Sequence, residues 1–153
     1  MTAMLFLAAA CAQPVSAPGP AGPVEPYVTS ADLCAKLPPE VPELPAEQSA
    51  VPADVTVSWV LECVMGPPAQ SGATHVRVER ADGPPAELLA ALRLPSATEQ
   101  TGPCTTEYLL PFYLALVTAD RQAIAPFIPV DGCAKPRREV LAALGNLPFR
   151  PIK

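Results

Sequence analysis

Residues 55–64 read VTVSWVLECV, and this stretch decides the fold. Alternate positions divide it into two faces. One face carries Val55, Val57, Trp59, Leu61 and Cys63, and the other carries Thr56, Ser58, Val60, Glu62 and Val64. A period of two with many β-branched residues predicts a strand. A second alternating stretch, THVRVERA at residues 74–81, follows a loop with Gly and Pro, so it predicts the next strand of an antiparallel sheet.

The order strand, strand, helix occurs twice along the chain. AELLAALRL after Pro84 and Pro85 has an apolar helical stripe of Leu88, Leu89 and Leu92, with Ala91 beside it. YLLPFYLALV (108–117) and QAIAPFIPV (122–130) predict a second strand pair, and a helix with the stripe Val140, Leu141 and Leu144 follows Pro136. We therefore expect an α+β fold of two ββα units, with an antiparallel sheet and both helices on one face.

Prolines divide the rest of the chain. The sequence has 22 of them, and residues 35–53 hold a proline-rich run that predicts an extended, partly polyproline segment lying on the domain. Residues 12–30, rich in Pro, Ala and Gly, are expected to form a tether. Together these patterns predict a signal at residues 1–11, a tether at 12–30 and a single domain at 31–150.

The spacing of four of the five cysteines predicts a disulfide framework. Cys34 and Cys63 are 29 residues apart, and so are Cys104 and Cys133. If the second strand pair is a hairpin with Phe112 opposite Ala125, Cys104 lies opposite Cys133 at its open end, within disulfide range. Cys34–Cys63 then follows by elimination. Reduced thiols and a zinc site are the alternatives, but the chain has no C-x-x-C motif and one histidine.

Little in the sequence indicates catalysis or nucleic-acid binding. The only histidine, His75, alternates with Arg77 and Glu79 and is expected to face solvent. We predict no cofactor and no catalytic residue, because no nucleophile, base and orienting group stand out together. Trp59, Tyr108, Phe112 and Tyr113 are expected in the core rather than in a binding groove. The formal charge of −5 argues against nucleic acid as a partner, although the last residues are basic.

The fifth cysteine, Cys11, ends a short apolar run. Ala8-Ala9-Ala10-Cys11 resembles the bacterial lipobox, in which a lipid is attached to the cysteine and the chain is cut before it. The resemblance implies that Cys11 is lipidated and holds the protein on the outer face of the cell membrane. No Lys or Arg precedes Cys11, which departs from the usual signal. The alternatives are an upstream start and a free thiol in an Ala-rich end.

Cys104 to Leu144 carries a distinctive pattern, P-x-D-x-C-x-K-P before the last helix. With LECV and LLAALRLPS earlier, it resembles a group of uncharacterised exported proteins and lipoproteins of actinobacteria, over roughly residues 31–150. The resemblance implies an exported location and this fold, and no activity. We therefore expect a non-enzymatic cell-envelope lipoprotein that binds or scaffolds an envelope protein.

A weaker similarity leads to subtilisin-inhibitor-like proteins, which also show a Cys-bearing strand, a loop, a helix and a Cys–hairpin–Cys unit. In that family the residues after the third cysteine face the protease, and here they are Thr105, Thr106 and Glu107. The chain departs from the family because no cysteine stands between Cys63 and Cys104. The alternative function is therefore inhibition of an extracellular serine protease, and an enzyme is a third possibility.

Overall fold

The computed structural model describes residues 23–24, 27, 29, 31–34, 37–66, 75–100, 102–106, 109 and 111–152. A short 3-10 helix, Ala31–Cys34, precedes the first strand. The strands and helices are β1 (Val57–Met65), β2 (Val76–Asp82), α1 (Ala86–Leu92), β3 (Phe112–Thr118), β4 (Ala123–Ile124), α2 (Arg138–Gly145) and β5 (Arg150–Pro151).

The strands form one antiparallel sheet in the order β4-β3-β1-β2-β5. The two ββα units, the antiparallel sheet and both predicted disulfides are present, so the predicted α+β fold is confirmed. The sequence did not predict β5, which pairs with β2 at Glu79 and Arg80. Its two residues include a proline, a residue that strands tolerate at a sheet edge.

Both helices pack on one face of the sheet and make what we call the helix-side cluster. The sheet contributes Val60, Leu114 and Leu116, and the helices contribute Leu88 and Val140, each at most 1% exposed. Burying one such side chain stabilises the fold by about 1.5–3 kcal/mol. The two helices also contact each other over this face.

The opposite face of the sheet is covered by residues 37–50, which we call the proline-rich segment. Leu37, Val41 and Leu44 pack against a buried set of sheet side chains, the segment-side cluster, made of Trp59, Leu61, Cys63, Tyr113, Ala115, Val117 and Ala125 with Cys34. The Tyr113 hydroxyl donates a 2.8 Å hydrogen bond to the Pro45 carbonyl. Burial raises the pKa of Tyr113 to about 12, so this donor keeps its proton across the physiological range.

The predicted faces of the first strand are wrong at its start. Trp59, Leu61 and Cys63 lie in the segment-side cluster as one set, but Val57 lies in the helix-side cluster with Val60. The register between β1 and β3 shifts between Val57 and Trp59. A β-bulge inserts one extra residue, which reverses the alternation on one side of it.

The predicted register of the second hairpin is also wrong. Leu116 pairs with Ile124 and Val117 with Ala123, so Phe112 is not opposite Ala125. The pairing with β3 ends after two residues, because the chain from Ala125 onward bridges Ser49 and Tyr27 instead. Pro126 and Pro129 lack the N–H groups that a longer ladder would need.

Two predictions about side chains have different outcomes. In α2, Leu141 is 37% exposed, and Ala143 takes its place in the buried stripe beside Val140 and Leu144. The aromatic residues Trp59, Phe112 and Tyr113 are buried in the core, as predicted. Tyr108 lies outside the described residues.

The predicted signal and lipid site at residues 1–11, including Cys11, lie outside the described residues. Within the predicted tether, Tyr27 bridges Ile128 and its ring lies 5.4 Å from that of Phe112. Thr29 is buried. In the described part of the chain, no helix has the length and apolar character needed to cross a membrane.

Candidate functional site

Residues Gly102–Thr106 form an exposed stretch, the exposed loop, between the two ββα units. All five residues are exposed, including Cys104. Gly102 has a φ of 96°, a conformation that glycine adopts without strain, and its carbonyl accepts a bond from Gln100. Glu107, predicted to share this loop, lies outside the described residues.

A disulfide ties the exposed loop to the second ββα unit. Cys104 bonds to Cys133, with their Cα atoms 5.5 Å apart. The predicted disulfide is therefore present. Both cysteines lie in loops, however, and do not face each other across paired strands as the predicted hairpin required. The bond fixes the middle of the loop to a turn just before α2.

That turn, Val130–Pro136, is organised by one carboxylate, and we call it the anchoring turn. Asp131 Oδ1 accepts hydrogen bonds from the backbone N–H groups of Cys133 (2.8 Å) and Lys135 (3.1 Å). The Asp131 N–H donates in return to the Lys135 carbonyl at 2.8 Å. Ala134 has a φ of 56°, which costs an alanine on the order of 1 kcal/mol. The turn is thus held by several local bonds against this cost.

Lys135 gives the exposed loop a second attachment. Its Nζ donates a 2.7 Å hydrogen bond to Thr105 Oγ1. Cys104 and Thr105 are therefore both engaged, whereas the backbone and side chain of Thr106 make no hydrogen bond with any described residue. Thr106 is therefore the first residue after Cys104 whose side chain is exposed and has no bond to a described residue.

A second group of polar residues lies on the helix side of the sheet. Glu62 is directly opposite Glu79 across β1 and β2, and Leu114 flanks it on β3. Opposed residues of antiparallel strands have neighbouring side chains, so two carboxylates meet here. Burial, and then the Glu79 carboxylate, raises the pKa of Glu62 to about 7, although Arg77 acts in the opposite direction. Arg77 lies 3.7 Å from Glu79.

The cavities formed by described residues are open and shallow. Four of them concern us, and the largest of these, of about 660 Å³, adjoins the anchoring turn and is lined by Asp131, Glu139, Arg137 and Arg138 with small neighbours. Its two acids offset its two arginines, and Arg137 is already bonded to Glu139 and to the Pro95 carbonyl. The cavity therefore presents no net charge to a ligand.

His75 lies apart from these groups. It is exposed at the start of β2, and its ring covers Gly66, where a Cβ atom would come within 2.5 Å of Nε2. None of the four cavities is lined by His75, and the described residues contain no cluster of metal-ligating side chains. Among the described residues, His75 thus belongs to no group of candidate catalytic or metal-binding side chains.

An apolar groove of about 300 Å³ lies between α1 and the chain after β4. Phe127, which is 54% exposed, lines it together with Val51, Leu92 and Pro129. The Phe127 N–H is bonded to the Ser49 carbonyl, which holds the backbone beneath the ring in place. The groove is a feature of the surface between the proline-rich segment and α1.

The sequence predicts this site only in part. Thr105 and Thr106 were predicted to face a protease, whereas Asp131 and Lys135, which hold the loop, and the pairing of Glu62 with Glu79 were not predicted. An Asp two residues before a loop cysteine is a signal for a side-chain-capped turn. The Lys135–Thr105 contact has no such signal, because the two residues are 30 positions apart.

Comparison with known proteins adds no relative. No family model, no curated protein and no solved structure matches the chain. The two disulfides are compatible with an exported protein, since such bonds persist outside the cytosol.

Proposed function

We propose that this protein is a non-enzymatic binding protein of the cell envelope, exported and held at the membrane by a lipid on Cys11. The observation that carries the proposal is the pair of disulfides, each closing a loop between residues 29 apart. Each is worth about 3–4 kcal/mol in the chain-entropy model, and only an oxidising compartment preserves that contribution.

The arrangement of the fold supports binding rather than catalysis. One disulfide fixes the start of the proline-rich segment to β1, and the other fixes the exposed loop to the anchoring turn, which is how a small domain presents a surface of constant shape. A rigid surface loses little conformational entropy when a partner binds. An envelope protein that docks on this surface is the expected partner, with the membrane reached through the tether.

Detergent-phase partitioning of the full chain, expressed in a bacterium that processes lipoproteins, tests the anchor. The parent protein should enter the detergent phase, and Cys11→Ser should remain in the aqueous phase because the acyl chains are lost. Thr2→Ser, a change of similar size outside the lipobox, is the control. Partition that is unchanged in Cys11→Ser contradicts the anchor. If the anchor is supported, a pull-down from native envelope by the anchored protein identifies its partners.

The second candidate is inhibition of an extracellular serine protease. It is favoured by one observation, the exposed loop held by Cys104–Cys133 and by the Lys135–Thr105 bond. Backbone groups of Thr106 make no bond to described residues, so they are available to pair with the backbone of a protease cleft. Protease–inhibitor complexes gain affinity from such loops because the bound shape already exists in the free inhibitor.

Titration of subtilisin and trypsin with the domain tests this candidate. We expect inhibition of subtilisin by the parent protein. Thr106→Lys should gain inhibition of trypsin, because the specificity pocket of trypsin carries a carboxylate. Thr56→Lys, at an exposed threonine before β1, is the matched control and should gain none. Absence of inhibition of both proteases at micromolar excess removes this candidate and leaves the envelope-binding proposal standing.

A further inference from the structure

The anchoring turn contacts the exposed loop at two adjacent residues. Cys133 of the turn bonds covalently to Cys104, and Lys135 of the turn bonds to Thr105. The same carboxylate oxygen, Asp131 Oδ1, accepts the N–H groups of both Cys133 and Lys135. One side chain thus fixes the spacing of the two attachment points.

We propose that Asp131 and Lys135 are positioning residues that hold the exposed loop in the conformation recognised by a partner protease. The inference rests on the inhibitor candidate for its partner, and on the described contacts for the positioning itself. A single disulfide at Cys104 leaves the following residues free to rotate about the backbone. The Lys135–Thr105 bond restricts that freedom at the next residue, so the chain continues from Thr105 to Thr106 in a preferred direction.

The chemistry of the contact suits this role. A hydrogen bond from an ammonium group is stronger than a neutral one, although its exposure to water reduces the gain. Its loss corresponds to about a tenfold loss of affinity when the loop must be ordered on binding. The side chain of Lys135 is half-buried and its backbone is held by Asp131. Lys135 therefore loses less conformational entropy when it bonds to Thr105.

The first test compares Lys135→Met with Arg138→Met. Both remove one positive charge, but Arg138 is exposed at the start of α2 and has no described contact with the loop. Lys135→Met should raise the inhibition constant for subtilisin about tenfold and let the protease cleave the loop faster, at an unchanged denaturation midpoint. Arg138→Met should change neither, and Lys135→Arg, which can still donate to Thr105, should restore much of the affinity.

A double-mutant cycle separates the contact from general effects of charge. Thr105→Val removes the acceptor hydroxyl while keeping the shape, and combined with Lys135→Met it should be no worse than either change alone. Additive losses would overturn the assigned contact. Asp131→Ala should weaken inhibition as Lys135→Met does, whereas Asp131→Asn keeps an acceptor oxygen and should behave like the parent.

The second readout needs no protease. Backbone NMR order parameters of Thr105 and Thr106 in the free protein should fall from about 0.85 to below about 0.6 in Lys135→Met and stay high in Arg138→Met. Unchanged order parameters in Lys135→Met overturn the positioning role. If the order parameters fall as expected but the parent inhibits neither protease, the inhibitor candidate is overturned and the positioning role is supported.

Discussion

Glu62 is the residue whose surroundings conflict most with its chemistry. It lies on a face of the sheet that packs against two helices, with Glu79 opposite it and Leu114 beside it. Burial and the second carboxylate both favour its protonated form, and the pKa of about 7 expresses that preference. Arg77 faces the pair from β2 and is bound to Glu79, so it offsets only part of the effect. Ionising Glu62 therefore costs stability.

We expect Glu62→Gln to be more stable than the parent above about pH 7 and equal to it near about pH 4. The folded-state pKa lies above the ordinary value of 4.5, so the folded protein binds the proton more tightly than the unfolded chain. Stability of the parent therefore falls as pH rises from about 4.5 to about 7, by roughly 3 kcal/mol in total. Urea unfolding at several pH values measures the difference.

Glu43→Gln is the control for this prediction. Glu43 is an exposed carboxylate of the proline-rich segment. Its charge is in contact with water, so removing the charge relieves no desolvation cost. Its stability difference from the parent should be small and nearly the same at every pH. A stability gain in Glu62→Gln that does not depend on pH would contradict the raised pKa of Glu62.

At the scale of elements, the proline-rich segment takes the place of a third structural layer. It has no helix or strand over residues 37–50, yet Leu37, Val41 and Leu44 cover one face of the sheet. Its attachments include the Cys34–Cys63 disulfide just before it, the Tyr113–Pro45 hydrogen bond in its middle and the backbone bonds of Ser49 at its far end. Such a layer makes few backbone bonds of its own, so its order depends on these attachments.

Removing the first disulfide should therefore loosen this layer selectively. We expect Cys34→Ala with Cys63→Ala to lower the free energy of unfolding by about 3–4 kcal/mol. The emission of Trp59, the only tryptophan, should shift to longer wavelength, because its ring packs in the segment-side cluster. Fluorescence spectra of the native protein and urea unfolding curves measure the two effects.

The matched control is Cys104→Ala with Cys133→Ala. That disulfide joins residues with the same separation of 29, so the chain-entropy cost is similar. It holds the exposed loop rather than a layer of the core, and Trp59 emission should stay unchanged. An equal spectral shift in both double variants would show that the effect is general destabilisation and not the loss of one layer.

The elements differ in how far their sequence determines them. The period of two in β1 and the stripe of α1 appear directly in the residues, because one face of each is buried. The bulge between Val57 and Trp59 has no local signal, and the short pairing of β4 depends on Ser49 and Tyr27, which are far away in sequence. The candidate site likewise combines features that the sequence predicts with features that depend on distant residues. Its cysteines were predictable from spacing, whereas the Lys135–Thr105 contact was not.

At the scale of the whole molecule, the sheet lies between two hydrophobic clusters and contributes side chains to both. Val60 of β1 and Leu114 of β3 lie on the helix side, and Leu61 and Ala115 of the same strands lie on the segment side. All four side chains are at most 1% exposed. Because the same two strands support both clusters, neither cluster can keep its packing when β1 and β3 separate.

Unfolding should therefore be a single transition in the oxidised protein. Trp59 emission reports the segment side, and far-ultraviolet circular dichroism reports the helices. We expect the two urea unfolding curves to have the same midpoint and slope, as two-state behaviour requires. Loss of the Trp59 signal at lower urea than the helical signal would contradict this, and would show that the proline-rich segment opens as a separate unit.

Burial on both faces gives β3 the composition of an aggregation-prone segment. Six consecutive residues, Phe112–Val117, are apolar or aromatic, carry no charge and are all buried. Such a run, when exposed, can add to identical strands of other molecules. Pro111 stands directly before the run, and Asp120 and Arg121 follow shortly after it, as gatekeeper residues do. The chain thus carries its protection against self-association at both ends of its most buried strand.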